Sequence, residues 1–446
     1  MTRVFAAAGL LLTLTTPAFA DGDGVTEAVI QTFDPENAVA PVSVVEGAGI
    51  KVGEGTILRP VFGVETGFVS NVFYEESNTR PAGILRLIAQ IGTSSLSKDR
   101  LIGPDPSDES NAGMQDVNEG KLRYRADLRA SYDAVLSSND AASSTGGLGL
   151  GASLHGLVNP VGQWSFGFDD DFVRLIRATN FETDANTNRD INRLQLSLNF
   201  RPTGRSISGS LYYNNVIDIF ERSEQDFADR IEHRGGLRVA WQFFPRSQLY
   251  VDVSQGVVTG LGSGADEKVT SYPFVAKAGL ATLLSAKLTA NVEAGYTNGF
   301  YSSGPSYSAP LINAQIGYRY SPLGRIALAY SLQYSDSINA NYYRDHVIRL
   351  WVRQVMMPVV LMVQPEVHFR QYNGINPMLV MGPPTREDVV FSVIAGASYN
   401  FRNWLAATVN YRFSAVETDY MYSSGGITDD PSYVRHELLL GMRAAL

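Results

Sequence analysis

The sequence predicts an all-β protein, a transmembrane antiparallel up-and-down β-barrel of about 18 strands. Three observations predict it. Apolar and polar residues alternate over long runs, turn signals recur at a regular spacing, and an apolar leader is followed by no apolar run of eighteen or more residues. A chain without such a run has no transmembrane helix. It can cross a bilayer only as a closed barrel, because no backbone polar group can stay unpaired in lipid.

The alternation is clearest in the stretch KLRYRADLRASYDA, residues 121–134. Charged and polar residues, such as Arg123 and Asp127, take every second position, and Leu122, Tyr124 and Leu128 lie between them. Successive side chains of a strand point to opposite faces, so this pattern predicts one apolar and one charged face.

Turn signals divide the chain at intervals of roughly 40 residues. Between Pro202 and Pro245 there are two long alternating runs, 207–219 and 231–243, joined by the polar segment ERSEQDFADR. A tight turn at one end and a longer polar loop at the other are typical of a membrane barrel hairpin. The turns fall at Asn159–Gly162, Arg201–Gly204, Phe244–Arg246, Leu284-Ser285, Ser321–Gly324, Met357-Pro358 and Phe401–Asn403.

Two soluble architectures share parts of this pattern. A β-propeller has the same period, but each blade holds four short strands, whereas each period here holds two long ones. A β-sandwich has the same alternation, but its strands usually have five or six residues. Aromatic residues also gather beside the short turns, where an interfacial girdle would lie. We therefore predict the barrel, with eighteen strands by our count and sixteen as the alternative.

The ends of the chain divide it into three parts. Residues 1–20 read as a signal peptide, with Arg3, an apolar stretch and a small-residue cleavage site ending at Ala20. Residues 21–58 form a polar periplasmic extension, either a disordered leader or a segment that enters the barrel or docks on a periplasmic partner. Residues 59–446 form the outer-membrane barrel. The last residue, Leu446, differs from the aromatic residue with which such barrels usually end.

One connection departs from the rule of short periplasmic turns. Residues 96–120 are polar and rich in Pro and Asp, yet strand parity places them on the periplasmic side. Either they form a periplasmic or lumenal insertion, or the strand count slips by one hairpin at this point.

Composition excludes several classes of protein. The formal net charge is −9 and no basic run is present, which argues against nucleic-acid binding. There is no Cys, so the fold does not depend on disulfide bonds. No cofactor is expected.

An enzyme is not expected either, since no nucleophile elbow, phosphate loop or dinucleotide fingerprint is present. The five histidines show no metal-ligand spacing. Asp169, Asp170 and Asp171 could form a carboxylate site, but on an alternating strand Asp170 must face away from the other two or lie in a bulge. We predict no catalytic residues and no metal site.

The polar face of the strands supplies the candidate functional residues. Basic groups outnumber acidic ones on this face, although the whole chain is acidic. Two interpretations stay open, and both can hold: the charges pair across strands, or clustered arginines bind an anionic solute or polymer in passage. The pore-lining candidates are Arg123, Arg125, Asp127, Arg129, Asp169, Asp171, Arg193, Arg238, Arg319, Arg349, Arg353, Glu366, Arg370, Arg412, Arg435 and Glu437.

Two segments resemble a known family. RPVFGVETGFVSNVFYEES (residues 59–77), with Ser70-Asn71-Val72-Phe73 before the first loop, and RYRADLRASYDAVLSS (residues 123–138) are similar to strands of the putative β-barrel porin-2 family. The resemblance covers about residues 59–446. It implies a bacterial outer-membrane barrel, in a group that includes barrels encoded with exopolysaccharide-export machinery, and it supplies no catalytic residues.

These observations predict a pore in the bacterial outer membrane. The resemblance adds export of an exopolysaccharide or similar anionic polymer, handed over by a periplasmic polysaccharide-export protein. The alternatives are a general or solute-specific diffusion porin and a non-conducting structural or surface protein. The expected partners are outer-membrane lipid and the barrel-assembly machinery.

Overall fold

The computed structural model describes residues 45, 47–52, 57–94, 121–176, 188–202, 206–262, 268–375, 384–424 and 427–446. Within them, eighteen long antiparallel strands form one sheet that closes on itself. The strands are β1 (Ile57–Val69), β2 (Ala82–Ser94), β3 (Leu122–Leu136), β4 (Gly147–Val158), β5 (Trp164–Leu175), β6 (Arg189–Phe200), β7 (Ile207–Phe220), β8 (Arg230–Phe244), β9 (Ser247–Gly260), β10 (Phe274–Ser285), β11 (Leu288–Asn298), β12 (Ser308–Ser321), β13 (Gly324–Asp336), β14 (Tyr342–Met356), β15 (Val359–Asn373), β16 (Thr385–Arg402), β17 (Leu405–Thr418) and β18 (Tyr433–Ala445).

Each strand pairs with the next along the chain, and the last strand pairs with the first. Val61 of β1 lies opposite Ala445 of β18, and the pairing continues to Val69 opposite Glu437. Because the sheet has no free edge, the backbone groups of every strand are paired within the wall. The predicted up-and-down barrel of eighteen strands is confirmed, and the sixteen-strand alternative is wrong.

The two faces of the wall differ as the alternation predicts. In β18, Val434, Leu438 and Leu440 are exposed, whereas Arg435 and Glu437 between them are buried. The exposed apolar side chains therefore form the outer, lipid-facing surface. The buried polar side chains face the enclosed space, which we call the lumen. Apolar residues on the outside and polar ones inside are the signature of a transmembrane barrel.

One end of the barrel carries tight turns and the other carries longer loops. Five hairpins have connections of two residues, for example Pro245-Arg246 and Pro322-Leu323. Short turns lie on the periplasmic side of such barrels, so the longer loops are extracellular. The turn expected at Leu284-Ser285 lies two residues later, because β10 continues to Ser285.

The long connection at residues 96–120 lies outside the described residues, but the ends that flank it are described. Leu122, the first residue of β3, lies opposite Val158, which directly precedes the periplasmic turn at Asn159. The connection between β2 and β3 therefore begins and ends at the periplasmic end, and the strand count does not slip there.

A short N-terminal stretch lies against the periplasmic end of the wall. The strand Ile50–Lys51 pairs with β1, and Gly49 donates its backbone N–H to the carbonyl of Leu446 at 2.7 Å. Val45 packs against Val61 and Ala445, which face the lumen. The chain thus passes along the inner rim of the barrel before β1. Residues 1–44, with the predicted signal peptide, lie outside the described residues.

Helical structure is minor in the described part of the chain. A short helix, Asp140–Ser143, and a 3₁₀ helix, Ser223–Ala228, lie in two extracellular loops. None of the described helices is long and apolar enough to cross a membrane.

Candidate functional site: the lumen wall and the extracellular mouth

The alternation of the strands places all sixteen candidate residues on the lumen face. They occupy β3, β5, β6, β8, β12, β14, β15, β17 and β18, so they surround the lumen and do not form one cluster. They form several groups along the wall, and these groups differ in how many of their charged side chains are ion-paired.

The first group lies where the barrel closes, on β18, β1, β2 and β3, which we call the closure seam. Arg86 of β2 donates two hydrogen bonds to Asp133 of β3, at 2.7 and 2.9 Å. It also lies 3.5 Å from Glu65 and 3.8 Å from Glu437. Arg86 is 7% exposed and Glu65 is 1% exposed, so these charges are nearly removed from water. They hold four neighbouring strands together.

Two further arginines complete the closure seam. Arg435 lies 2.9 Å from Glu437, and Arg443 lies 2.9 Å from Glu65, both within β18 and β1. Arg412 of β17 lies directly opposite Glu437 in the register. Among the described residues, however, no carboxylate is within ion-pairing distance of Arg412. The arginines of the seam named above are therefore paired, and Arg412, the candidate here without an ion pair among the described residues, lies just outside the seam on β17.

The second group lies on β14 and β15 and is fully paired. Arg349 donates two hydrogen bonds to Glu366, at 2.5 and 2.6 Å. His368 lies 2.6 Å from Glu366 and 2.8 Å from Asp345. Arg370 donates to the same Asp345 at 2.7 Å. Two arginines and one histidine thus share two carboxylates, and each of the three lies within ion-pairing distance of at least one of them.

The third group lies on β3, β4, β5 and β6, which we call the β3–β6 arc. Arg125 donates to Asp127 at 2.7 Å, along the same strand. His155 lies 2.9 Å from Asp169 and 3.7 Å from Asp171. The histidine was not among the candidate residues, although it has the same parity on its strand as the other lumen-facing positions. It lies within hydrogen-bond distance of Asp169 and close to Asp171, so it can neutralise part of their acidic charge when it is protonated.

Two arginines of the β3–β6 arc lack an ion pair. Arg193 of β6 lies opposite Asp171 in the register. Arg129 of β3 lies opposite Gly151, which carries no side chain. Among the described residues no carboxylate is within ion-pairing distance of either guanidinium. The Nε atom of Arg129 also has no hydrogen-bond partner there. These two half-buried side chains present unpaired positive charge to the lumen.

A further group fills the wall between β7 and β12. The guanidinium of Arg238 lies 3.8 Å from the ring centre of Tyr250, and the Tyr250 hydroxyl donates to Glu293. Lys277 lies 3.2 Å from the same Glu293. Arg238 and Lys277 thus each have a partner within the wall, a tyrosine ring and a carboxylate, so we interpret this group as one that stabilises the barrel.

The remaining candidates lie towards the periplasmic end of the wall. Arg319 is close to the end of β12, and Arg353 of β14 lies opposite Arg325 of β13. Arg123, next to the first residue of β3, is 7% exposed. These positions place basic groups near the periplasmic opening of the lumen.

The triple-aspartate stretch does not place its three carboxylates on one face. Asp169 and Asp171 face the lumen, whereas Asp170 faces outwards and accepts a hydrogen bond from Asn192 at 3.0 Å. The described residues contain no group of His, Asp and Glu side chains that could hold a metal ion.

The extracellular end contains a feature that the sequence did not predict. The loop 337–341 between β13 and β14, which we call the mouth loop, is largely buried: Ser337 is 0% exposed and Ala340 5%. A five-residue loop at the end of a barrel can be buried only if other loops cover it. The mouth loop therefore folds inwards, over the end of the lumen.

The contacts of the mouth loop extend to both sides. Ile338 packs with Phe220 and Ala228, from the β7–β8 side. Ala340 packs with Tyr372 and Tyr420, from the β15–β16 and β17–β18 side. Strands that are far apart in the wall are thus joined through one loop.

Polar contacts hold the mouth loop in place. Lys268 donates to the carbonyl of Ser337 and, at 2.7 Å, to that of Ala340. Asn341 donates to the carbonyls of Ser303 and Pro305, both at 2.9 Å. The loops that follow β9 and β11 therefore also contact it.

Asp336, the last residue of β13, connects these loops. It lies 2.9 Å from Arg230 and 3.3 Å from Lys268, and it accepts a hydrogen bond from the Tyr301 hydroxyl at 3.1 Å. Burial and the negative charge of Asp336 raise the pKa of Tyr301 above its usual range, so the hydroxyl stays protonated as a donor. Sequence reasoning missed Asp336, because its partners are up to 106 residues away.

The fold and this wall define the class of protein: a bacterial outer-membrane β-barrel that encloses a polar lumen, as a channel does. The chain belongs to the family described as "Putative beta-barrel porin 2", whose model matches residues 45–444. The resemblance seen in the sequence is thereby confirmed, as is the outer-membrane location. No comparison indicates an enzyme family, and a search of curated proteins found no match.

Solved outer-membrane barrels show a distant likeness. OccK2 (OpdF) of Pseudomonas aeruginosa has 11% identity and a TM-score of 0.43, with 87% of this chain and 98% of that chain covered. OccAB4 of Acinetobacter baumannii has 10% identity and a TM-score of 0.43, covering 89% and 100%. The siderophore receptor PirA of Pseudomonas aeruginosa has 9% identity and a TM-score of 0.39, covering 87% and 80%.

Proposed function

We propose that this barrel is a diffusion channel for small anionic solutes, and that Arg129 and Arg193 are its main anion contacts. One observation carries the proposal: on a wall rich in arginine, these two side chains have no ion pair among the described residues and lie on the same arc of the wall. Arg412, the third candidate arginine without such a pair in the described part of the chain, lies apart from them, beside the closure seam. A paired arginine adds little net field to the lumen, whereas an unpaired one attracts anions and repels cations.

The chemistry of the side chain suits this task. A guanidinium presents a planar set of donors that matches a carboxylate or a phosphate. Barrels of sixteen to eighteen strands are wide enough to enclose an aqueous channel, so the contact is made in water. In water the attraction at about 7 Å is roughly 0.6 kcal/mol per charge, weak enough for the solute to leave again.

Polymer export, which the resemblance implies, stays a prediction. The mouth loop bears on it, because Ile338 and Ala340 are packed against loops from both sides of the opening. A polymer leaving the cell would have to displace these contacts along its whole passage. A small solute needs only a transient gap, which favours the diffusion channel. The periplasmic polysaccharide-export partner is predicted only together with export, so it also stays a prediction.

The test is ion selectivity in planar lipid bilayers under a salt gradient. We expect the wild-type reversal potential to show anion preference. Each charge removed in R129Q/R193Q should lower the anion-to-cation permeability ratio by roughly sevenfold, because the charge attracts anions and repels cations by about the same energy. R129K/R193K keeps both charges and should keep the ratio. R174Q removes an arginine from the outer face and should also leave it unchanged. An unchanged reversal potential in R129Q/R193Q would contradict the proposal.

A further inference from the structure

The outer face of the barrel carries three pairs of tyrosine and histidine with one geometry. In each pair the hydroxyl lies within hydrogen-bond distance of the imidazole Nδ1, and the two residues are diagonal neighbours in a hairpin whose loop is extracellular. The pairs are Tyr213 with His233 at 2.7 Å, Tyr330 with His346 at 2.8 Å, and Tyr411 with His436 at 2.9 Å.

The three pairs also lie at one height. Each histidine follows the extracellular start of its strand by three or four residues: His233 in β8, His346 in β14 and His436 in β18. This is where the apolar band of a transmembrane barrel gives way to the headgroup region. Contact between a polar imidazole and acyl chains is unfavourable. We therefore expect a histidine at this boundary to contact a polar group of the lipid.

The tyrosine hydroxyl occupies Nδ1, so Nε2 is the ring nitrogen that each histidine can offer to that partner. When the tyrosine donates to Nδ1, the imidazole proton is on Nε2. When the imidazole is charged, Nε2 also carries a proton. In both states the free edge of the ring is therefore an N–H donor. A donor directed at the headgroup region suits an anionic oxygen.

One pair has an arginine beside it. Arg344 lies two residues from His346 on β14, on the same outer face, because Asp345 between them points into the lumen and is 0% exposed. Among the described residues, Arg344 has neither a carboxylate in ion-pairing distance nor a hydrogen-bond partner for Nε. The other outer-face arginine near this rim, Arg174, is held by Glu221 at 2.5 and 3.1 Å.

An apolar surface adjoins the same position. Phe369 of β15 lies directly opposite His346 in the register and is 49% exposed on the outer face. Ile348, the next outward residue of β14, lies below His346 towards the middle of the membrane. The position thus combines cationic and neutral donors at the headgroup level with apolar contacts beneath them. This is the chemistry of a phosphorylated lipid with several acyl chains.

We propose that Tyr330, Arg344 and His346 form a binding site for the phosphate of an outer-leaflet glycolipid. Arg344 supplies the charge, and His346, oriented by Tyr330, supplies a second donor. The other two pairs, beside which the described residues include no unpaired arginine, make weaker contacts of the same kind. The proposal concerns the outer face only and does not depend on what passes through the lumen.

The test is lipid binding to the full-length barrel in detergent, measured by native mass spectrometry. The probes are bisphosphorylated lipid A and the same lipid A after removal of its phosphates. We expect the wild type to bind the phosphorylated form about tenfold or more tightly, and R344Q/H346F to lose that preference. Equal binding of the two lipids by the wild type, or an unchanged preference in R344Q/H346F, would overturn the proposal.

Matched controls separate this site from a general effect of the girdle. R174Q removes the paired arginine at the same rim and should keep the preference for the phosphorylated lipid. Y330F should weaken it by a few fold, because His346 loses its orienting hydrogen bond. Y132F changes an exposed outer-face tyrosine of β3 and should have no effect. Heat-modifiable migration on gels confirms folding, and R344Q alone serves if the double variant does not fold.

Discussion

The closure seam and the β3–β6 arc are neighbouring parts of one wall with opposite use of charge. In the seam, Arg86 contacts three carboxylates, and Arg435 and Arg443 each have one. In the arc, Arg129 and Arg193 have none among the described residues. In both regions the sequence shows the same alternation of charged and apolar residues.

A charged lumen residue can therefore either stabilise the barrel or contact a solute, and its ion pairing decides which. Buried arginines in the seam are tied to the strands that close the barrel. Removing one partner of such a pair leaves an uncompensated charge, which is costly. An unpaired arginine at the lumen surface costs little to remove but changes the field that a solute meets.

The largest effect is expected from R86Q in the closure seam. The substitution leaves Asp133 and Glu65 without their shared partner, so the free energy of unfolding should fall by about 3–5 kcal/mol. Urea titration of the barrel in lipid vesicles, followed by tryptophan fluorescence, measures it. R129Q is the matched control and should lower the free energy by less than about 1 kcal/mol. Equal losses for the two variants would remove the distinction between seam and arc.

A smaller effect is expected at the extracellular mouth. D336N removes the charge that Arg230 and Lys268 share, so the mouth loop should lose about 1.5–3 kcal/mol of charge-assisted hydrogen bonding. We expect more frequent or larger open events in single-channel recordings. D140N changes an exposed aspartate of another extracellular loop and should behave as the wild type. Identical recordings for D336N and the wild type would show that the mouth loop does not limit conduction.

The smallest effect is expected from R123A/R125A. Arg125 is paired with Asp127 at 2.7 Å, so its removal exposes an aspartate and partly offsets the lost cation. The permeability ratio should still shift towards cations, in the same bilayer measurement. R125A/D127A removes the pair together and should shift the ratio less. A shift larger than that of R129Q/R193Q would mean that pairing does not decide which arginines meet the solute.

The sequence predicted the barrel well because alternation is a local property. The parity of each strand told which side chains face inwards, including that Asp170 faces away from its neighbours. The predicted position of the β10–β11 turn was two residues too early, since Ala286-Lys287 contains neither Pro nor Gly to mark it. Asp345 has the parity of Arg349 and could have been found as a lumen residue by the same rule.

What sequence reasoning could not supply is which charges are paired. His155 with Asp169 and Arg349 with Glu366 are joined across strands by the register, and a register is fixed only by the whole hairpin. The contacts of the mouth loop are still harder to predict from the sequence, because Asp336 and Arg230 come together from strands that are not neighbours. No short stretch of sequence carries that information.

The reversal potentials of two double variants, measured in one bilayer experiment, separate the paired from the unpaired arginines. R129Q/R193Q removes unpaired charge from the arc. E65Q/R443Q removes the Glu65–Arg443 pair and the Glu65–Arg86 contact from the seam without changing net charge. We predict that anion preference falls in the first and is retained in the second. If both keep the wild-type reversal potential, or both lose it to the same extent, the unpaired arginines do not set the selectivity of this channel.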